Sequence, residues 1–142
     1  MDLIYHKIEN SENVSPFDKV LKSIATDTKI LMISPYISLS YLESLIEVSK
    51  EWKLITDLKE WLKMTASKEL MEVRFFILKN KKHIRHKQKI HAKVVFSNKN
   101  AYIGSANLTE QGIRVRTEMG VFIKSESKIN ELETWYNELW ET

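Results

Sequence analysis

Residues 29–37 read KILMISPYI, a compact apolar run that Pro35 stops. A run this short, with no alternation of polar residues, fits a strand buried on both faces rather than a helix. WKLIT (52–56) and MEVRFFIL (71–78) read the same way, as strands. KIHAKVVFS (89–97), NAYIGS (100–105) and TEMGVFIK (117–124) add three more, the first two meeting around Asn98-Lys99-Asn100. Leu3–Ile8 suits a short edge strand. Between these runs the apolar spacing becomes helical. Ser15 is placed to cap a helix with Pro16 in its first turn, followed by Phe17, Val20, Leu21 and Ile24. Leu39, Leu42, Leu45, Ile46 and Val48 mark a second helix, and Asp57 opens a third over DLKEWLKMTAS (57–67). Ile129, Leu132, Trp135, Tyr136 and Leu139 give the last segment an apolar face suited to core packing. Strands alternating with helices predict an α/β fold, a mixed sheet with helices on both faces, in a single domain over residues 1–142.

The chain has 142 residues, enough for a core of its own. Its 43% apolar and 29% charged residues belong to a globular rather than a disordered chain. There is no Cys, which excludes disulfides, thiolate metal sites and Cys nucleophiles. The start, MDLIYHKIEN, lacks the charge and apolar pattern of a secretory signal, and no apolar run reaches membrane length, so a cytoplasmic location is expected.

Net charge is only +3, but it is unevenly spread. Lys79, Lys81, Lys82, Arg85, Lys87, Lys89 and Lys93 fall within 15 residues that hold no Asp or Glu. Outside that stretch the chain is net acidic, with 15 basic against 19 acidic residues. His83, His86 and His91 share the same window. A basic loop leading into a reactive centre is expected there, its cations available to the phosphates of a polyanion. His83 and His86 have no carboxylate or thiolate near them in sequence, which argues against a metal site.

His91 and Lys93 stand two apart on a strand and so project from one face, about 7 Å apart along the chain. Ile90, Ala92, Val94 and Phe96 supply the opposite, apolar face. Two cation-capable groups side by side disfavour each other's charged forms, which keeps an imidazole neutral and nucleophilic, and a bound phosphate satisfies the ammonium. An antiparallel return of the next strand brings Ser105 and Asn107 to the same end, both able to donate to phosphate oxygens. Gly104 permits close backbone approach there. Glu118 is placed to accept from the far nitrogen of His91 and fix its tautomer.

His91-x-Lys93, Gly104-Ser105-Ala106-Asn107 and Glu118 together resemble the active-site signature of the phospholipase D superfamily, His-x-Lys-x₄-Asp followed by Gly-Ser-x-Asn and a downstream Glu. The resemblance implies a phospholipase D/nuclease-like sandwich and metal-free covalent catalysis without a cofactor. One His forms a phosphohistidine and a second protonates the leaving oxygen, while the Lys, Ser and Asn positions hold the phosphate. Only one such motif is present. That resembles the small endonucleases of the superfamily, which dimerise to complete the site, and it implies a homodimer with two His91 side chains facing each other. Asn98 departs from the pattern, standing where the family has Asp; its place at a turn puts turn rigidity in question before chemistry.

The basic stretch, and the absence of an amphipathic membrane-binding helix from this reading, favour nucleic acid over lipid, with DNA ahead of RNA by family analogy. Metal-independent endonuclease activity is therefore expected. The alternatives are a degenerate nucleic-acid-binding module of the same fold and a phosphodiesterase or phospholipase acting on another substrate.

Overall fold

The computed structural model describes residues 1–6 and 14–142. In chain order the elements are β1 (Asp2–Tyr5), α1 (Pro16–Ala25), β2 (Lys29–Ile33), α2 (Leu39–Val48), β3 (Glu51–Thr56), α3 (Leu58–Met64), α4 (Leu70–Lys79), β4 (Ile84–His86), β5 (Val94–Phe96), β6 (Ala101–Gly104), β7 (Met119–Ile123) and α5 (Glu126–Glu141). The strands form one seven-stranded sheet in the order β1-β7-β6-β5-β2-β3-β4. β2, β3 and β4 run parallel to one another, and every other neighbouring pair is antiparallel, so the sheet is mixed as the sequence implies.

The alternation of side chains along each strand divides the core in two. Ile30, Met32, Leu54, Val95 and Tyr102 face α1 to α4, where Phe17, Leu21, Leu42, Trp61 and Val73 are buried. Ile33, Ile55, Val94, Phe96 and Ala101 face α5, which buries Ile129, Tyr136 and Trp140. Burying side chains of this size contributes about 1.5–3 kcal/mol each, which is what holds a lone helix on that face. Tyr136 also donates its hydroxyl to Met32 O at 3.2 Å. Helix starts follow the expected chemistry: Ser15 accepts from Asp18 N–H at 3.2 Å with Pro16 in the first turn, and Asp57 accepts from Glu60 N–H at 3.2 Å. The N-terminal strand sits at the sheet edge as expected, but ends at Tyr5; Lys7 and Ile8 lie outside the described residues.

Two expectations are corrected. Residues 71–78 are not a strand but the body of α4. Val73 is buried, with Phe76 and Ile77 packed partly against the same core, a three-then-one spacing that only a helix presents to one side. The run deceived because the outward residues Met71, Phe75 and Leu78 are apolar as well. The basic segment is not a plain loop either. Lys81–His83 form one 3₁₀ turn, and Ile84–His86 pair with Leu54–Thr56 as an edge strand.

Candidate active site

The carboxyl ends of β2 and β3 and the amino end of β5 share one edge of the sheet, since Ile33 pairs with Val94. The strand expected over 89–97 is formed only by Val94–Phe96, and residues 91–93 lead into it at that edge, where Gly104 N–H donates to Lys93 O at 3.2 Å and continues the β5–β6 ladder by one bond. Ile90 and Ala92 pack on the α5 side with Val94 and Phe96, so His91 and Lys93 project together from the other side. The Lys93 ammonium lies 3.0 Å from His91 Nδ1 and 3.5 Å from its Nε2. Partial burial of that ammonium lowers its pKa, an effect the nearby Glu118 carboxylate only partly counters. His91 itself is exposed.

The antiparallel β5–β6 pairing returns Ser105 and Asn107 to the same end. Ser105 is bonded to Glu118 through its hydroxyl and also accepts from Met119 N–H at 3.0 Å. Glu118 therefore meets Ser105 and lies near Lys93. Among the described residues no hydrogen bond joins it to His91, unlike the pairing expected from sequence. Asn107 Oδ1 faces the buried Ser34 Oγ at 3.4 Å, which leaves both Nδ2 hydrogens without a protein acceptor among the described residues.

Three residues whose part in the site the sequence does not display, Tyr102, Ser34 and Asp57, hold this arrangement. Tyr102 points along the sheet from β6, and its hydroxyl accepts from Ala106 N–H at 3.1 Å while donating to Ala106 O at 3.2 Å. It thereby clamps the residue between Ser105 and Asn107. The ring passes over two glycines: a Cβ on Gly104 would stand 2.6 Å from the Tyr102 hydroxyl, and one on Gly120 would stand 2.6 Å from the ring. Ser34 accepts from Leu108 N–H at 3.1 Å and donates to Tyr36 O at 2.9 Å, locking the segment after Asn107 to the end of β2. Asp57, beyond β3, accepts Lys89 N–H at 2.9 Å, where Lys89 holds a φ of 64° two residues before His91. Burial works to raise the Asp57 pKa. The amides of Lys89 and Glu60, the charge of His86 and the Lys59 amide outweigh it and hold the carboxyl below the usual aspartate range. A polar residue at the end of an apolar run, as at Ser34 and Asp57, was the available signal for two of the three.

The remaining cations do not gather beside His91. Lys79 ends α4, and Lys81 and Lys82 follow in the 3₁₀ turn near Trp52, toward the other end of β3. Arg85 turns to the α5 face, its guanidinium 4.2 Å from the centre of the Trp140 ring. Lys87 Nζ donates to Thr142 Oγ1 at 2.8 Å. Lys87 and Lys89 follow the end of β4 on the way to His91; Lys87 N–H donates to Thr56 O at 2.9 Å. His83 stacks on Trp52 at 4.6 Å, and His86 Nδ1 accepts from Leu58 N–H at 3.0 Å. No cluster of three or more metal-ligating side chains occurs among the described residues.

Asn98 lies at the opposite end of β5 from His91, on the rim of a cleft of about 590 Å³ lined also by Lys29, Lys53 and Glu133. The turn there is tied by Ser97, whose hydroxyl accepts from Lys99 N–H at 3.2 Å and whose N–H donates to Asn100 O at 2.9 Å. The bond that a carboxylate at 98 would offer the turn is thus made from the preceding residue.

A family model described as "Cardiolipin synthase, PLD-like domain" matches residues 20–140. No curated protein sequence matches at a significant level. Among solved structures, the chain is similar to Nuc, a phospholipase D family member from Salmonella typhimurium, at 18% identity and a TM-score of 0.71, covering 99% of this chain and 93% of that one. NucT from Helicobacter pylori is similar at 13% identity and a TM-score of 0.67, covering 99% and 94%. TrmBL2, an archaeal chromatin protein described with a novel mode of DNA binding, is similar at 15% identity and a TM-score of 0.55, covering 87% of this chain and 46% of that one.

Proposed function

The chain belongs to the phospholipase D superfamily, and from that premise we propose that it cleaves phosphodiester bonds of nucleic acid, DNA in the first place, at a site completed by a second copy of itself. The observation that carries this reading is the exposed His91–Lys93 pair at the same sheet end as Ser105 and Asn107. A phosphate entering there takes Lys93 as its partner and frees the imidazole. The ring nitrogen attacks phosphorus, the P–O bond to the leaving group breaks, and His91 of the second copy, in its charged form, gives that oxygen its proton. The same second imidazole then takes a proton from water, which attacks phosphorus and breaks the P–N bond. Lys93 and Asn107 Nδ2 stabilise the charge that develops on the phosphoryl oxygens, and the Ser105 hydroxyl joins them by turning its one hydrogen from Glu118 to the phosphate. No step calls for a metal ion. Lys87, Lys89 and Lys93 are the cations along the approach to His91 and would meet neighbouring phosphates.

A second reading, hydrolysis of a lipid or other small phosphodiester, gains from α4. A lipid substrate calls for an apolar surface that meets the membrane, and α4 presents three exposed apolar side chains, Met71, Phe75 and Leu78.

Plasmid nicking in excess chelator, beside His91→Ala and Glu118→Ala, tests the proposal. Cleavage that needs added divalent metal, or that survives His91→Ala, refutes the phosphohistidine route. Salt-sensitive DNA binding without cleavage would make the chain a binding module instead. Sedimentation gives the copy number, and a strictly monomeric yet active protein would remove the shared site.

A further inference from the structure

The outward face of α4 has no role in the site. Met71, Phe75 and Leu78 are 84%, 68% and 64% exposed, far more than side chains of this kind usually are in a folded protein. Their spacing of four and three residues places them in one stripe. The opposite face of the helix is occupied by Val73, Phe76 and Ile77, so α4 is apolar on both sides although only one side meets the core. A surface helix of that kind needs a second apolar medium.

Charge identifies the medium. From Lys68 to Lys82 the chain carries Lys68, Arg74, Lys79, Lys81 and Lys82 against Glu69 and Glu72. Among the described residues none of those five cations is held in an ion pair. A nucleic acid would match the cations but has no use for the stripe between them. A second copy on a two-fold axis would match the stripe but set the cations against their own images. An anionic bilayer surface takes both, with the apolar side chains among the acyl chains and the ammonium groups at headgroup level. We infer that α4 docks the protein on the surface of an anionic membrane. The inference is independent of which phosphodiester the site cleaves, and no membrane-crossing helix is involved.

Flotation of the full chain with vesicles tests it, using phosphatidylcholine alone and an equimolar mixture of phosphatidylcholine and phosphatidylglycerol. The wild type is expected to float with the mixed vesicles and to be released by salt. Phe75→Ser should weaken that binding about tenfold, the loss of one buried aromatic side chain, and Phe75→Ser with Leu78→Ser should weaken it further. Both side chains point outward, so circular dichroism and nicking activity should remain those of the wild type. No flotation of the wild type with mixed vesicles overturns the inference, as does equal flotation of the double variant. A self-association abolished by Phe75→Ser, with no vesicle binding, would assign the face to a second copy and also overturn it. Since flotation needs no catalysis, either result stands apart from the outcome of the nicking assay.

Discussion

Tyr102→Phe removes one oxygen atom and tests how the site is held. That oxygen accepts Ala106 N–H at 3.1 Å and donates to Ala106 O at 3.2 Å, and both residues are wholly buried. Each hydrogen bond contributes about 1 kcal/mol net, and the buried Ala106 N–H left without an acceptor adds a desolvation penalty of about 1–3 kcal/mol. Water offers little relief, because a Cβ on Gly104 would already stand 2.6 Å from the hydroxyl and the vacated oxygen leaves less room than one water needs. The sum is about 3–5 kcal/mol. It should be read from urea midpoints at unchanged m-value, or as a fall in Tm of roughly 9–15 °C for a chain of this size. Function should suffer beyond stability. Ala106 separates Ser105 from Asn107, so a loosened loop would misplace both residues of the proposed phosphate site together. At a temperature where the variant is fully folded, kcat should fall by about tenfold or more with KM changed little. A stability change under about 0.5 kcal/mol would show that the clamp is not made. The full loss of stability with an unchanged kcat would show that the hydroxyl serves the fold and not the site.

Lys93→Met should raise the thermal midpoint at neutral pH while abolishing cleavage, since partial burial lowers the Lys93 pKa and its charged form is therefore a penalty on the folded state. As pH rises through the lowered value toward the ordinary lysine range, the folded protein loses the proton first, the wild type gains stability, and the gap should close; a gap constant with pH would refute this. Asp57→Asn should cost about 1 kcal/mol at neutral pH, because one amide oxygen must serve Glu60 N–H and Lys89 N–H together. The aspartate's contribution is present above its unfolded pKa and lost as pH falls through its lowered folded value, so wild type and variant should converge in acid denaturation. Asn98→Asp should change stability by less than about 0.5 kcal/mol and leave the cleavage rate unaltered, because Ser97 already ties the turn. A large gain in activity would mean that the turn reaches His91 through the length of β5.

What the sequence displayed best were residues out of place in their own element. His91 and Lys93 interrupt an apolar run that leads into β5, and Asp57 and Ser15 stand where a helix needs an oxygen; all four stand out in the sequence itself. What it concealed were polar groups that pass for core. Tyr102 is flanked by Ala101 and Ile103 and looks like packing, and its hydroxyl matters only because the chain turns back at Ala106. The strand reading of α4 failed for a related reason. Periodicity reveals a helix by contrast between its faces, and a helix apolar on both sides gives no contrast. The basic run misled in space rather than in type. Seven cations adjacent in sequence pass through a helix end, a 3₁₀ turn and an edge strand, which send Arg85 to Trp140 and leave Lys81 and Lys82 by Trp52.

That dispersal bears on the substrate. A polyanion laid across the site would meet Lys87, Lys89 and Lys93 on the approach to His91, whereas the cations near α4 accompany an apolar stripe that no polyanion uses. On the two proposals together, one basic segment would serve two surfaces of different character, one wet and phosphate-seeking, the other apolar at its centre. Salt should therefore act on the two separately. Weakened binding of DNA by salt would report the cations on the approach to His91, and release from vesicles those beside Phe75, so a substitution at Lys81 and Lys82 that moves the second dependence and not the first would locate the boundary between them.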